Sequence, residues 1–114
     1  MYNIDYITSL TREEVISDLK YDINKFDNED LENLYELWIE EKEILCGIAG
    51  NHNTDFSILM SLASMEDEDI FTSLLENEHI WKYRAIAKFI LETTKSKVNQ
   101  YLAYRLLKEI EQYI

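Results

Sequence analysis

Apolar residues recur every three or four positions from one end of the chain to the other, the spacing of a helix with one buried face. Thr11-Arg12-Glu13-Glu14 has the form of a capping box, after which Val15, Leu19 and Ile23 fall four apart. Asp27 or Asn28 is placed to cap a second helix carrying Leu31, Leu34, Leu37 and Trp38. Glu40 and Glu41 open a third with Ile44, Leu45, Ile48 and Ala49, which Gly50 and Asn51, tolerant of positive φ, are suited to stop. Thr54 is expected to cap a fourth with Ile58, Leu59 and Leu62. A fifth starts within Glu66-Asp67-Glu68-Asp69, carries Ile70, Leu74 and Leu75, and ends at Asn77. A sixth is expected from about His79 to Leu91. Ser96 caps the last, with Val98, Leu102, Leu106 and Ile110 as its ladder. The pattern therefore predicts an all-α domain of about seven short helices over residues 1–114, with no internal boundary. Links this short make consecutive helices antiparallel. The absence of Pro and the presence of only two Gly argue against a turn-rich β architecture.

A faint repeat runs through these helices. Shifting the chain by 26 residues lays Glu43-Ile44 over Asp69-Ile70, Ile48-Ala49 over Leu74-Leu75, and Asn51 over Asn77. A further shift of about 28 brings Ile70 and Leu74 onto Val98 and Leu102. The stretch Ala49-Gly50-Asn51-His52-Asn53-Thr54, followed by Leu59, Leu62-Ala63, Asp67, Ile70, Leu74 and Asn77, resembles the HEAT-like repeats, in particular their leucine-rich variant form. The resemblance spans about residues 30–112 and implies stacked helix pairs. It departs from the family in lacking the Pro usual in that turn. An irregular helical bundle is the alternative that the periodicity leaves open.

Charge changes the picture most. The 23 acids and 11 bases leave a formal −12, which excludes a nucleic-acid binder working through overall positive charge. Residues 1–80 hold 20 acids against 4 bases, a net of −16, whereas residues 81–114 hold 3 acids against 7 bases, a net of +4. Carboxylates in a helix's first turn are favoured by its dipole, which accounts for part of this density. Lys82, Arg84, Lys88 and Arg105 are expected to relieve more of it by folding back on the acidic turns. The remainder exceeds what helix ends require, and self-repulsion opposes compaction, so a surface for a basic partner is the functional expectation.

Little else points to chemistry. Cys46 is the single cysteine and sits among Ile44, Leu45 and Ile48, so a buried structural thiol in a reducing, cytoplasmic setting is expected. His52 and His79 occupy different slots of the repeat, and no His pair falls at i, i+4, so no metal site is expected. The carboxylate pairs Asp67/Asp69 and Glu41/Glu43 point to different helix faces at i, i+2 spacing. Asp67 and Asp69 also lack the glycine and the ligand spacing of a calcium loop. Gly47 and Gly50 form no phosphate-cradling loop. Neither an enzyme nor a cofactor is expected, and no apolar run approaches the roughly 18 residues of a membrane span.

Aromatics beside charge suggest contact surfaces, since Tyr and Trp anchor many interfaces. Trp81 and Tyr83 alternate with Lys82 and Arg84, and Trp38 precedes Glu40, Glu41 and Glu43. In size, charge and lack of chemistry the chain resembles the general type of bacterial immunity proteins, which implies capture of a cationic, nuclease-type toxin. The residues expected to meet such a basic partner are Glu40, Glu41, Glu43, Glu66, Asp67, Glu68, Asp69, Trp81 and Tyr83. Other readings are a phage-type inhibitor whose carboxylates stand in for phosphates, and an adaptor or assembly subunit pairing through Phe71 and Trp81. No direct contact with nucleic acid or membrane is expected, and the chain is expected to be a monomer or a weak homo-oligomer.

Overall fold

The computed structural model describes residues 4–112. Among these residues are eight α-helices, one 3-10 turn and no strand, so the protein is all-α as its periodicity predicts. The helices are α1 (Ile4–Ser9), α2 (Arg12–Tyr21), α3 (Asn28–Leu37), α4 (Lys42–Ala49), α5 (Phe56–Ala63), α6 (Glu68–Glu76), α7 (Arg84–Thr93) and α8 (Lys97–Glu111), with Ile80–Lys82 forming the 3-10 turn.

Caps set most of the boundaries. Thr11 accepts from the Glu14 amide at 3.2 Å while the Glu14 carboxylate accepts from the Thr11 amide at 2.9 Å. Asp27 and Asp30 make the same reciprocal pair at the start of α3. Ser96 accepts from Asn99 to open α8.

Several local expectations are corrected. Helix α1 carries too few apolar positions to announce itself, and is held by Ile7, fully buried. Asp55 rather than Thr54 caps α5; Thr54 is buried and donates its hydroxyl to the Ile48 carbonyl at 2.7 Å. Helix α2 ends at Tyr21, before Ile23. Gly50 has φ −84°, and the positive φ in this part of the chain belongs to Glu66 at 54°. The expected sixth helix is broken: Tyr83, at φ −120° and ψ 69°, separates the 3-10 turn from α7. On α8 the buried face runs through Asn99, Ala103 and Leu107, so Val98 is exposed.

Helices pack in series. Helix α2 lies on α4, α4 on α6 and α6 on α8, while α1 lies on α3 and α5 on α7 in a second row. The whole measures 43 × 27 × 22 Å. Leu31, Leu34, Ile44, Ile48, Leu59, Leu62, Leu74, Ile86 and Ile90 are fully buried between the rows. Each contributes about 1.5–3 kcal/mol relative to exposure. Gly47 lets α2 and α4 approach: a Cβ there would stand 3.0 Å from Leu19 Cβ, tighter than nearly all packed Cβ contacts.

Turns are stitched as the helices are stacked. Asn51 donates to the Ile23 carbonyl at 3.0 Å, and Asn77 donates to the Ala49 carbonyl at 2.9 Å. Each side-chain oxygen accepts from the amide two residues on, Asn53 and His79 respectively, both at 2.8 Å. Asn53 donates to the Phe26 carbonyl at 3.1 Å and His79 Nδ1 to the His52 carbonyl at 3.1 Å. Donors and acceptors in all three comparisons are offset by the same 26 residues. Burial of Asn51 and Asn77 is compatible with stability because these bonds satisfy their amides.

Candidate functional site

The acidic runs singled out in the sequence meet two different fates. Between α2 and α4, Arg12 donates to Glu41 at 3.0 Å and to Glu43 at 3.3 Å. Between α4 and α6, Lys42 Nζ lies 3.1 Å from Asp67 and 2.6 Å from Asp69. Burial pushes the Asp67 carboxyl up, but Lys42 and the amides of Ile70 and Asp69 more than offset it and leave it below its ordinary value. The Asp69 and Asp67 carboxylates in turn raise Lys42.

Glu68 is structural. Its carboxylate accepts from the Thr94 hydroxyl, from the Lys95 amide at 2.9 Å and from the Asn99 side chain at 3.0 Å. Desolvation raises its pKa and these bonds outweigh it, for a net lowering. Glu68 therefore ties α6 to the turn that opens α8. Glu66 is exposed, held in a left-handed conformation in the turn before α6.

Trp81 and Tyr83 are not brought together with these carboxylates by any hydrogen bond or ion pair among the described residues. Trp81 is 58% exposed, with Lys82 Nζ 5.7 Å from its ring centroid. Tyr83 is partly buried and packs on Phe56, ring centroids 5.3 Å apart. Phe71, expected on a pairing face with Trp81, is instead in the core beside Phe89. The expected folding back of C-terminal bases is also corrected. Arg84 pairs with Glu111 at 3.9 Å, Lys88 with Glu92 at 4.0 Å and Arg105 with Glu109 at 3.6 Å. Bases at i, i+4 from an acid on their own helix find it before they find a distant turn.

What remains is a row on α3. Glu29, Glu32 and Glu36 fall at i, i+3 and i+7, all exposed on one face, and Glu40 follows in the next turn. Among the described residues no Lys or Arg side chain lies within 4.0 Å of any of the four. The reason lies in the neighbours. No base occurs between Phe26 and Glu41, α1 and α5 contain none, and the single Lys of α4 is engaged with Asp67 and Asp69. Leu37 and Ile39 stand exposed beside the row, 48% and 42% accessible. Spacing would have marked the row: three acids at helical intervals with no base within the same helix.

The remaining groups offer little chemistry. The Cys46 thiol is half-buried and burial pushes it up, away from the reactive thiolate, though Ser73 opposes this. Among the described residues no group of three His, Cys, Asp or Glu is placed to hold a metal ion, and no helix is long and apolar enough to cross a membrane. An open cavity of about 330 Å³ on the outer side of α2 is lined by Arg12, Ser17, Lys20 and Glu43, with its Arg already paired. Comparison with protein-family models, curated proteins and solved structures returns no match.

Proposed function

We propose that this chain is a non-catalytic binding protein whose α3 carboxylate row docks a basic protein. The observation that carries the reading is the row itself: Glu29, Glu32 and Glu36 share an exposed face of α3, Glu40 follows in the exposed turn, and among the described residues no Lys or Arg pairs with any of them. Closely set carboxylates repel within the screening length of about 8 Å at physiological salt. A cationic surface relieves that repulsion and is drawn in at steered rates. Leu37 and Ile39 give the contact its apolar component.

Within this reading Glu41, Glu43, Asp67 and Asp69 form a rim that exchanges Arg12 and Lys42 for bases of the partner. Glu66 and the exposed Trp81 extend the same proposal. The scaffold is proposed to be a HEAT-like stack, supported by the 26-residue offset of the asparagine bonds and the serial packing of α2, α4, α6 and α8. The biological role proposed is immunity against a cationic, nuclease-type toxin in the cytoplasm.

The test uses the wild-type chain to capture a partner from its host, with E29K/E32K/E36K as matched bait. The expected result is a basic protein whose association slows about tenfold or more in the variant and falls with added salt. Equal kinetics for both baits overturns the assignment of the row. A captured partner that DNA or RNA displaces would transfer the proposal from toxin capture to imitation of nucleic acid.

A further inference from the structure

Helix α8 ends the stack, and its outer face is built unlike any other. Its buried side faces α6 and α7 through Asn99, Ala103 and Leu107. Opposite them Lys97, Tyr101, Tyr104 and Lys108 fall at i, i+4, i+7 and i+11, a single stripe, with Arg105 at its edge. Tyr101 is 60% and Tyr104 50% exposed. Lys108 Nζ lies 5.4 Å from the Tyr104 ring centroid. The acids nearest the stripe, Glu109 and Glu111, lean to its flanks and pair loosely with Arg105 and Arg84. Exposed Tyr beside Arg and Lys is the composition of an interface anchor, and its charge calls for an acidic partner.

We infer that the α8 stripe docks on the α3 carboxylate row of a second copy of this chain. Charge complementarity selects this occupant. The stripe and its edge carry three bases, and the α3 row is an exposed acid face with no Lys or Arg within 4.0 Å among the described residues. Lys97 to Lys108 spans about 16 Å along a helix and Glu29 to Glu36 about 10 Å, so the row fits within the stripe. A symmetric α8-to-α8 pairing would set Lys97, Arg105 and Lys108 against their own kind. A single copy makes no such contact within itself, because α8 packs on α6 and α7 while α3 packs on α1 and α4. The contact is heterologous, one face against a different one, and leaves a free donor and a free acceptor at the ends. It uses the α3 row of the proposed function as acceptor and adds α8 as donor, so a bound basic protein and a second copy exclude each other.

The net −12 of each copy imposes a distinctive salt dependence. With screening over about 30 Å at 0.01 M salt the two bodies repel as wholes; near 0.15 M, at about 8 Å, the local pairs survive; at 1 M, about 3 Å, they fade. Sedimentation equilibrium of the full chain at these three salts should show concentration-dependent association strongest at the middle one. K97E/R105E/K108E and E29K/E32K/E36K should each be monomeric there while keeping the wild-type helical spectrum and melting temperature, and their equimolar mixture should associate again. A monomer at every salt, association that survives in E29K/E32K/E36K alone, or a mixture that stays monomeric would overturn the inference. Capture of a basic protein by K97E/R105E/K108E separates the two readings: if it persists while the wild-type chain is a monomer at every salt, the α3 assignment stands and only the α8 contact falls.

Discussion

The turn before α6 and the outer face of α3 carry similar densities of carboxylate, yet the first is almost wholly occupied inside the molecule and the second is not. In the turn, Asp67 and Asp69 share Lys42, and Glu68 is bonded to the segment that opens α8. On α3, Glu29, Glu32 and Glu36 are exposed and have no Lys or Arg within 4.0 Å among the described residues. What separates them is the neighbouring helix: α4 presents a lysine to α6, whereas α3 packs on α1, which has no base, and on α4, whose lysine is taken by Asp67 and Asp69. Acid density along a chain therefore measures potential for recognition only after the stacking partner has been taken into account.

Glu68→Ala should break the contrast most sharply. It removes the acceptor of the Thr94 hydroxyl and the Lys95 amide, and the expected loss is about 2 kcal/mol of unfolding free energy by urea titration. Glu32→Ala on α3 should stay within about 0.5 kcal/mol of the parent. A destabilised Glu32→Ala beside a neutral Glu68→Ala would reverse the assignment of the two regions.

Acid should reveal the same difference. Asp67 and Glu68 have folded values below their ordinary ones, so their contribution is complete above the unfolded values near 4 and is lost as pH falls through the folded values. The urea midpoint of the parent should fall between about pH 5 and pH 3. Glu68→Ala should fall less steeply over that range.

Smaller effects should differ in sign. Glu32 and Glu36 are like charges at i, i+4, so Glu36→Gln should stabilise the protein by about 0.2–0.5 kcal/mol. Lys42→Ala should leave the melting temperature within error, because exposed pairs contribute little. It should nonetheless strengthen capture of a basic protein by freeing Asp67 and Asp69; unchanged capture would remove those two residues from the rim.

Much of the fold was legible because helices announce themselves locally. Thr11, Asp27 and Ser96 cap where their side chains require, and the three-and-four spacing located six of the eight helices with only their ends displaced. The misses are places where tertiary contacts outweigh local pattern. Helix α1 exists because α3 covers Ile7, and Thr54 is drawn inward to the Ile48 carbonyl, leaving Asp55 to cap. Tyr83 breaks a run whose apolar periodicity alone would have continued. For the site, the sequence located the charge but not its state. Whether Glu41 or Glu36 is free depends on Arg12 and Lys42 arriving from other helices, and no spacing rule within one helix reports that.

The stitches between turns have a direction. Asn51 reaches back to Ile23, Asn53 to Phe26, Asn77 to Ala49 and His79 to His52; in each the donor is made after its acceptor. A polypeptide emerging from the ribosome N-terminus first would find every acceptor already waiting when the donor appears. Assembly can thus follow the order of synthesis, each new pair of helices closing on a surface completed before it.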